Sequence, residues 1–424
     1  MNEQDLRERY RTLAQEKLPD EARRRIRGAL REGQGAAERS GSGRGGSAWW
    51  IAAAAVAAGL LALALLSHSP DTSKPAHHPT KRTLLAVKTP FASIDMLTAT
   101  SGWAVGGKGQ IARTTDGGGT WQLVTPPGMP QGAPNSVLVR LAATDPSHAW
   151  IAVAAMGSNF RPPVTVYYTS DGGAAWQRAA TGQSGWPQMR FLTNSTGFLL
   201  LHEGVAAGSE GVLLLATSDG GAHWTVVANG QPTAQNTSII FGGDKSGFGF
   251  LDAQHGWLTG NWAANSILLY VTADGGKTWT RPTLPLPPGL NADGGSAQSE
   301  PPYFFGTQDG VLPVEFFHPG QPIVFYRTAD GGKTWRPTTP LDGGGNQPVY
   351  SVVSQSVIVA SDGAKIYLST DGGQNWASLQ PNVSLAGLTQ IDFTSATRGW
   401  ALVKGRLLGT ADGGKTWTQL GTGK

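Results

Sequence analysis

One eight-residue string recurs seven times in this chain and constrains its fold more than any other feature. The pattern [ST]-x-D-G-G-x-x-W occupies residues 114–121, 169–176, 217–224, 272–279, 328–335, 369–376 and 410–417. Its Trp residues stand 41 to 56 residues apart, a period at which each repeat is one small sheet. Residues 388–420 show the unit: L-T-Q-I-D-F, T-S-A-T-R-G, W-A-L-V, K-G-R, L-L-G-T-A, D-G-G-K-T, W-T-Q-L. These are four short apolar strands, here A to D from the inside outward, joined by tight polar turns. Residues 94–107 (I-D-M-L-T-A-T-S-G-W-A-V-G-G) open the first copy in the same way. The expectation is an all-β chain: a seven-bladed β-propeller of four-stranded blades over residues 89–424.

The repeat also explains the composition. The 424 residues include 59 Gly and 15 Trp, with only 15% charged residues, against about 7% Gly and about 25% charged residues in an ordinary domain. Paired glycines supply the turns, and Trp fills the blades. In each string the Asp accepts hydrogen bonds from turn amides, the Gly pair permits positive φ, and Trp opens strand D. Asp116, Asp171, Asp219, Asp274, Asp330, Asp371 and Asp412 are therefore structural, and D-G-G lacks the ligand spacing of a calcium loop. Trp103, Trp150, Trp257 and Trp400 on strand B are core by the same reasoning. With Trp49 and Trp50 in the apolar run of residues 48–66, only Trp186 and Trp262 remain without a structural role.

Several chemistries drop out. The chain has no Cys, so thiolate metal sites and cysteine nucleophiles are absent. No serine nucleophile elbow, phosphate loop or His-rich metal cluster is present, and no cofactor or metal is expected. The net charge of +4 is not a nucleic-acid signature. Residues 1–47 carry 11 basic and 8 acidic side chains, and residues 48–88 carry 4 and 1. The remaining 18 and 20 leave the repeat region at −2, with no basic excess to neutralise phosphates.

Residues 48–66 (A-W-W-I-A-A-A-A-V-A-A-G-L-L-A-L-A-L-L) form an uncharged run. As a helix it would span about 28 Å, close to the ~30 Å hydrocarbon core. We expect an uncleaved single-pass anchor, with the basic residues of 1–47 placing the N-terminus in the cytoplasm and the propeller outside. The tail reads as two short amphipathic helices around Leu6, Tyr10 and Leu13 and around Ala22, Ile26, Ala29 and Leu30. Residues 67–88 read as linker.

The recurring string is the Asp-box. Sialidases, some glucan-cleaving glycosidases and sorting-receptor ectodomains carry it on propellers. Residues 102–121, G-W-A-V-G-G-K-G-Q-I-A-R-T-T-D-G-G-G-T-W, more closely resemble the repeats of the photosystem II stability/assembly factors and their bacterial relatives. That resemblance covers about residues 90–420. It implies a seven-bladed fold and a non-enzymatic role in assembling a membrane complex.

Propeller geometry puts A–B and C–D turns on one face and B–C and D–A loops on the other. Length variation concentrates in the second group: D–A segments 125–136, 181–188, 283–302 and 338–348, and B–C segments 156–163, 202–211, 260–266 and 317–322. Insertions gathered on one face mark a binding surface. We single out Trp262, Trp186, Arg161, Asn261, Glu203, Glu300 and His318 there as candidate contacts for a protein partner or ligand. Two other functions are weighed. A transmembrane sensor would couple the propeller through the tail to a cytoplasmic regulator such as a sigma factor. A sialidase-like glycosidase would use Arg161 within F-R-P-P, Tyr303 near Glu300, or a Glu203–Glu315 pair.

Overall fold

The computed structural model describes residues 83–85, 90–132, 136–155, 161–206, 209–230, 239, 242–261, 266–292 and 297–421. The tail (1–47), the apolar span (48–66), most of the linker and Trp262 lie outside them. Among the described residues no helix is long and apolar enough to cross a membrane. Every element there is a β-strand, and the strands form a propeller-like set of antiparallel sheets.

Seven strands take the A position: Phe91–Met96, Val137–Ala143, Trp186–Phe191, Asp244–Phe250, Tyr303–Phe305, Val349–Val352 and Leu388–Phe393. Each pairs antiparallel with the strand that follows it in its own repeat. Four repeats are plain four-stranded sheets. The first gains a fifth strand, because Thr83–Leu85 pairs with Trp121–Leu123 along its outer edge. That corrects the reading of these three residues as linker.

The fourth and fifth repeats depart further and share one seven-stranded sheet. Strand Ala297–Ser299, inside the 283–302 segment, pairs with Asn261 on one side and with Val314–Phe316 on the other. In both repeats strand D shrinks to isolated bridges, Val271 with Thr280 in the fourth and Arg327 with Arg336 and Ile323 with Leu341 in the fifth. The sequence gives the reason. Pro282 and Pro337 follow within two residues, and proline has no N–H to continue a ladder.

Packing runs between repeats rather than within them. The buried apolar side chains of the described residues form seven clusters, each shared by consecutive repeats. One of them joins Trp400, Leu402 and Leu407 of the last repeat to Phe91 and Trp121 of the first. Trp400 Nε1 also donates to Gly117 O at 2.8 Å. The sheets thus close on themselves by face-to-face contact without exchanging a strand. Trp103, Trp150, Trp257 and Trp400 are all buried, as expected. Of the motif residues, Trp121, Trp279, Trp335 and Trp417 are buried, whereas Trp176, Trp224 and Trp376 are only half-buried.

The Asp-box turn is built alike seven times. In the fifth repeat Thr328 Oγ1 donates to Asp330 Oδ1 at 2.7 Å, and Gly332 N donates to Thr328 Oγ1. Asp330 then accepts from Thr334 N and Thr334 Oγ1. Both glycines have positive φ, 71° and 81° at Gly331 and Gly332. The first glycine amide donates to the A–B turn of its own repeat, as Gly331 N does to Gln308 O at 2.9 Å. These bonds fix the A–B and C–D turns on one face.

Candidate functional site: the inner ring and the insertion-bearing loops

An inner strand at a sheet edge exposes unpaired N–H and C=O groups, which need partners. Polar side chains from the preceding repeat provide them. Gln188 Nε2 donates to Ser246 O at 2.7 Å and Arg190 Nε to Phe248 O at 3.2 Å. Ser351 Oγ accepts from Phe393 N at 3.0 Å. At the closure, Asp392 Oδ2 accepts from Met96 N at 2.6 Å, while Gln390 exchanges two bonds with Ile94. The inner ring is therefore polar by construction.

Asp95, Arg140, Arg190, Glu300, Tyr303 and Tyr350 surround a cavity of about 580 Å³ within it. Its two guanidiniums are exposed, while its carboxyls and phenols are half-buried. Burial pushes the Asp95 carboxyl up to about 6, against the pull of Arg190. Asp392 rises to about 7, through burial and the nearby Asp95, although the Met96 amide opposes this. Glu315 reaches about 7 through burial and the adjacent Glu300. Burial also raises Glu300, Tyr303 and Tyr350 and lowers Arg140.

The residues singled out from sequence fall into three places. Glu300, Asn261 and Glu315 gather around the bridging strand. Asn261 Nδ2 donates to Ala297 O at 3.1 Å, Gln298 Nε2 donates to Glu300 Oε1 at 2.6 Å, and Glu315 lies opposite Gln298. Arg161 and Glu203 form a second group. The guanidinium donates from Nε to Glu203 O at 3.1 Å and lies 3.4 Å from Oε1. Glu203 and Glu315 thus belong to separate clusters.

Trp186 is not in a loop. It begins an inner strand and pairs with His202 across the ladder, because the 181–188 and 202–211 segments mostly extend strands rather than leave them. His202 in turn contacts Glu210 at 2.9 Å, and Glu210 Oε2 accepts from Lys245 N at 2.7 Å. The buried Lys245 ammonium donates to the carbonyls of Glu210, Gly242 and Gly243, and burial lowers its pKa to about 8. That group stitches the third repeat to the fourth.

His318 is the third place. Its Nε2 lies 2.9 Å from Asn291 O and ties loop 317–322 to segment 283–292. Beside it Phe317 is 44% exposed, and Leu286 on the tied segment is 40% exposed. Sequence reading passed over both of these, and also Asp95, Arg140, Arg190, Tyr350 and Asp392. A signal existed for the charged ones: a lone charge between apolar neighbours in strand A, as in I-D-M, V-R-L, M-R-F and I-D-F. Among the described residues no cluster of His, Asp and Glu could hold a metal ion.

The family described as photosynthesis system II assembly factor YCF48 matches residues 244–384. The chain is an Asp-box repeat propeller that resembles this family. Its fold is similar to a structure titled "YCF48 bound to D1 peptide", with a TM-score of 0.52 and 18% identity over 81% of this chain and 99% of the other. YCF48 from Cyanidioschyzon merolae is 16% identical over 78% of this chain and 97% of its own, with a TM-score of 0.48. A GH74 xyloglucanase from Xanthomonas campestris gives a TM-score of 0.54 at 15% identity over 80% of this chain. This chain spans 55% of that enzyme's length. Comparison of the sequence with curated proteins finds no match.

Proposed function

We propose that the chain is a non-enzymatic seven-bladed propeller that holds a segment of a protein partner on its insertion-bearing face, in the manner of an assembly factor. One observation carries this reading. Large apolar side chains are displayed on two insertions of that face, Phe317 and Leu286, on segments tied together through His318 and Asn291. An exposed aromatic on a braced loop is the usual anchor of a protein interface. The YCF48 structure with a D1 peptide supports a peptide as the kind of partner. In this proposal residues 48–66 anchor the propeller in the membrane, outside the cytoplasm, near the complex it serves.

The test is direct. A D1 peptide is titrated into the purified full chain and into Phe317→Ala. Saturable binding that weakens about tenfold in the variant, a loss of ~1.4 kcal/mol, supports the proposal. No binding removes the photosystem II role, and equal binding by the variant removes this face.

A glycoside-hydrolase reading has one observation in its favour, the Glu315 carboxyl held at about 7 beside Glu300. It requires xyloglucan cleavage that Glu315→Gln abolishes.

A further inference from the structure

The inner-ring cavity suggests a second ligand, separate from the partner on the loops. Its charges are sorted by position. The two guanidiniums come from the second and third repeats, Arg140 on Val137–Ala143 and Arg190 on Trp186–Phe191. Carboxylates and phenols come from the rest of the ring. Glu300 and Tyr303 belong to the fifth repeat, Tyr350 to the sixth, Asp392 to the seventh and Asp95 to the first. Each sits on, or directly beside, a strand held on both sides by neighbouring repeats.

Opposite charges in such proximity usually find each other, but here they do not. Among the described residues, the salt bridges fall outside the ring, as between Arg161 and Glu203. Arg140 Nη1 donates only to the carbonyl of Val139, and Arg190 uses Nε on Phe248 O. Most of their N–H donors remain available to the cavity, since a guanidinium carries five. Both guanidiniums are exposed to the cavity and the facing carboxyls are half-buried, so a ligand carrying both signs can reach them and exchange water contacts for charge-assisted hydrogen bonds.

We propose that the cavity of about 580 Å³ binds a small zwitterion of the amino-acid or dipeptide class, its carboxylate on Arg140 and Arg190 and its ammonium on Asp95 and Glu300. The volume lies in the range of small-molecule sites. Planar guanidiniums suit a carboxylate, and the phenols of Tyr303 and Tyr350 add acceptors and aromatic faces for the ammonium. Asp95 is ionised above about pH 6, so both signs are present at neutral pH.

Isothermal titration of the purified full chain with a panel of alanyl dipeptides tests this. The expected result is saturable binding by at least one dipeptide. Its N-acetyl and C-amide derivatives then bind at least tenfold more weakly, and so does the free dipeptide to Arg140→Gln. Arg140 makes no bond to another repeat, so this variant keeps the fold, which its melting temperature verifies. No binding by any dipeptide, equal binding by the capped forms, or unchanged affinity in Arg140→Gln would each overturn the proposal. The Phe317→Ala variant is expected to bind the dipeptide normally, which separates this site from the partner surface.

Discussion

The two faces of the ring are built on opposite rules. On the Asp-box face one hydrogen-bond pattern recurs in all seven repeats, from Thr114 and Asp116 to Thr410 and Asp412. On the inner ring and the insertion-bearing face the repeats diverge, and at one inner position only the first and last carry the same residue type. The position opposite the strand B residue is Asp95, Ala142, Arg190, Gly249, Tyr303, Ser351 and Asp392 in turn. Repetition marks what the fold needs everywhere. Departure from it marks what one place needs once, and that is where recognition can be built.

The contrast can be broken first at its most rigid point. Gly332 has φ of 81°, and a Cβ there would lie 2.3 Å from Trp257 Cζ2. Gly332→Ala therefore combines a left-handed backbone with a clash against the core, and should cost about 3 kcal/mol or more. Chemical denaturation of the variant measures it; a change below about 1 kcal/mol would mean that the turn tolerates rearrangement. Asp330→Ala removes the acceptor of three turn bonds and should cost about 1–2 kcal/mol. The Asp330 carboxyl is held down at about 2 by its Thr partners. Its contribution is present above the ordinary carboxylate pKa and lost as pH falls toward 2.

The inner ring should respond to pH in the opposite sense. Asp392, raised to about 7, favours the fold while protonated and loses that contribution as pH rises from about 4 through 7. Asp392→Asn should therefore stabilise the protein by ~1–3 kcal/mol at pH 8 and have almost no effect at pH 4. Melting temperatures at the two pH values decide this, and a variant less stable at pH 8 would contradict it. The smallest effect on stability is expected on the loops. Leu286→Ala should stay within ~0.5 kcal/mol of the parent while weakening the partner.

What sequence could reveal follows the same division. Seven copies of one string are enough to place the Asp-box Asp, the glycines and the strand B Trp, because repetition identifies a shared structural cause. The inner ring has no such signal. Asp95 and Asp392 lie at opposite ends of the repeat region and meet only when the ring closes. The extra length of segment 181–188 points to a loop for Trp186, yet that length extends strands, and Pro187 is tolerated on the edge strand, where it pairs with Leu201. Phe317 was overlooked for a different reason. An isolated aromatic in a loop is meaningful only once its exposure is known.

One paired measurement tests the division of labour most directly: melting temperature and D1-peptide affinity, determined side by side for Asp330→Ala and Phe317→Ala. If the repeated face holds the fold and the irregular face binds, Asp330→Ala lowers the melting temperature and keeps the affinity. Phe317→Ala then does the reverse. Loss of affinity in Asp330→Ala at unchanged stability, or loss of stability in Phe317→Ala at unchanged affinity, would contradict it.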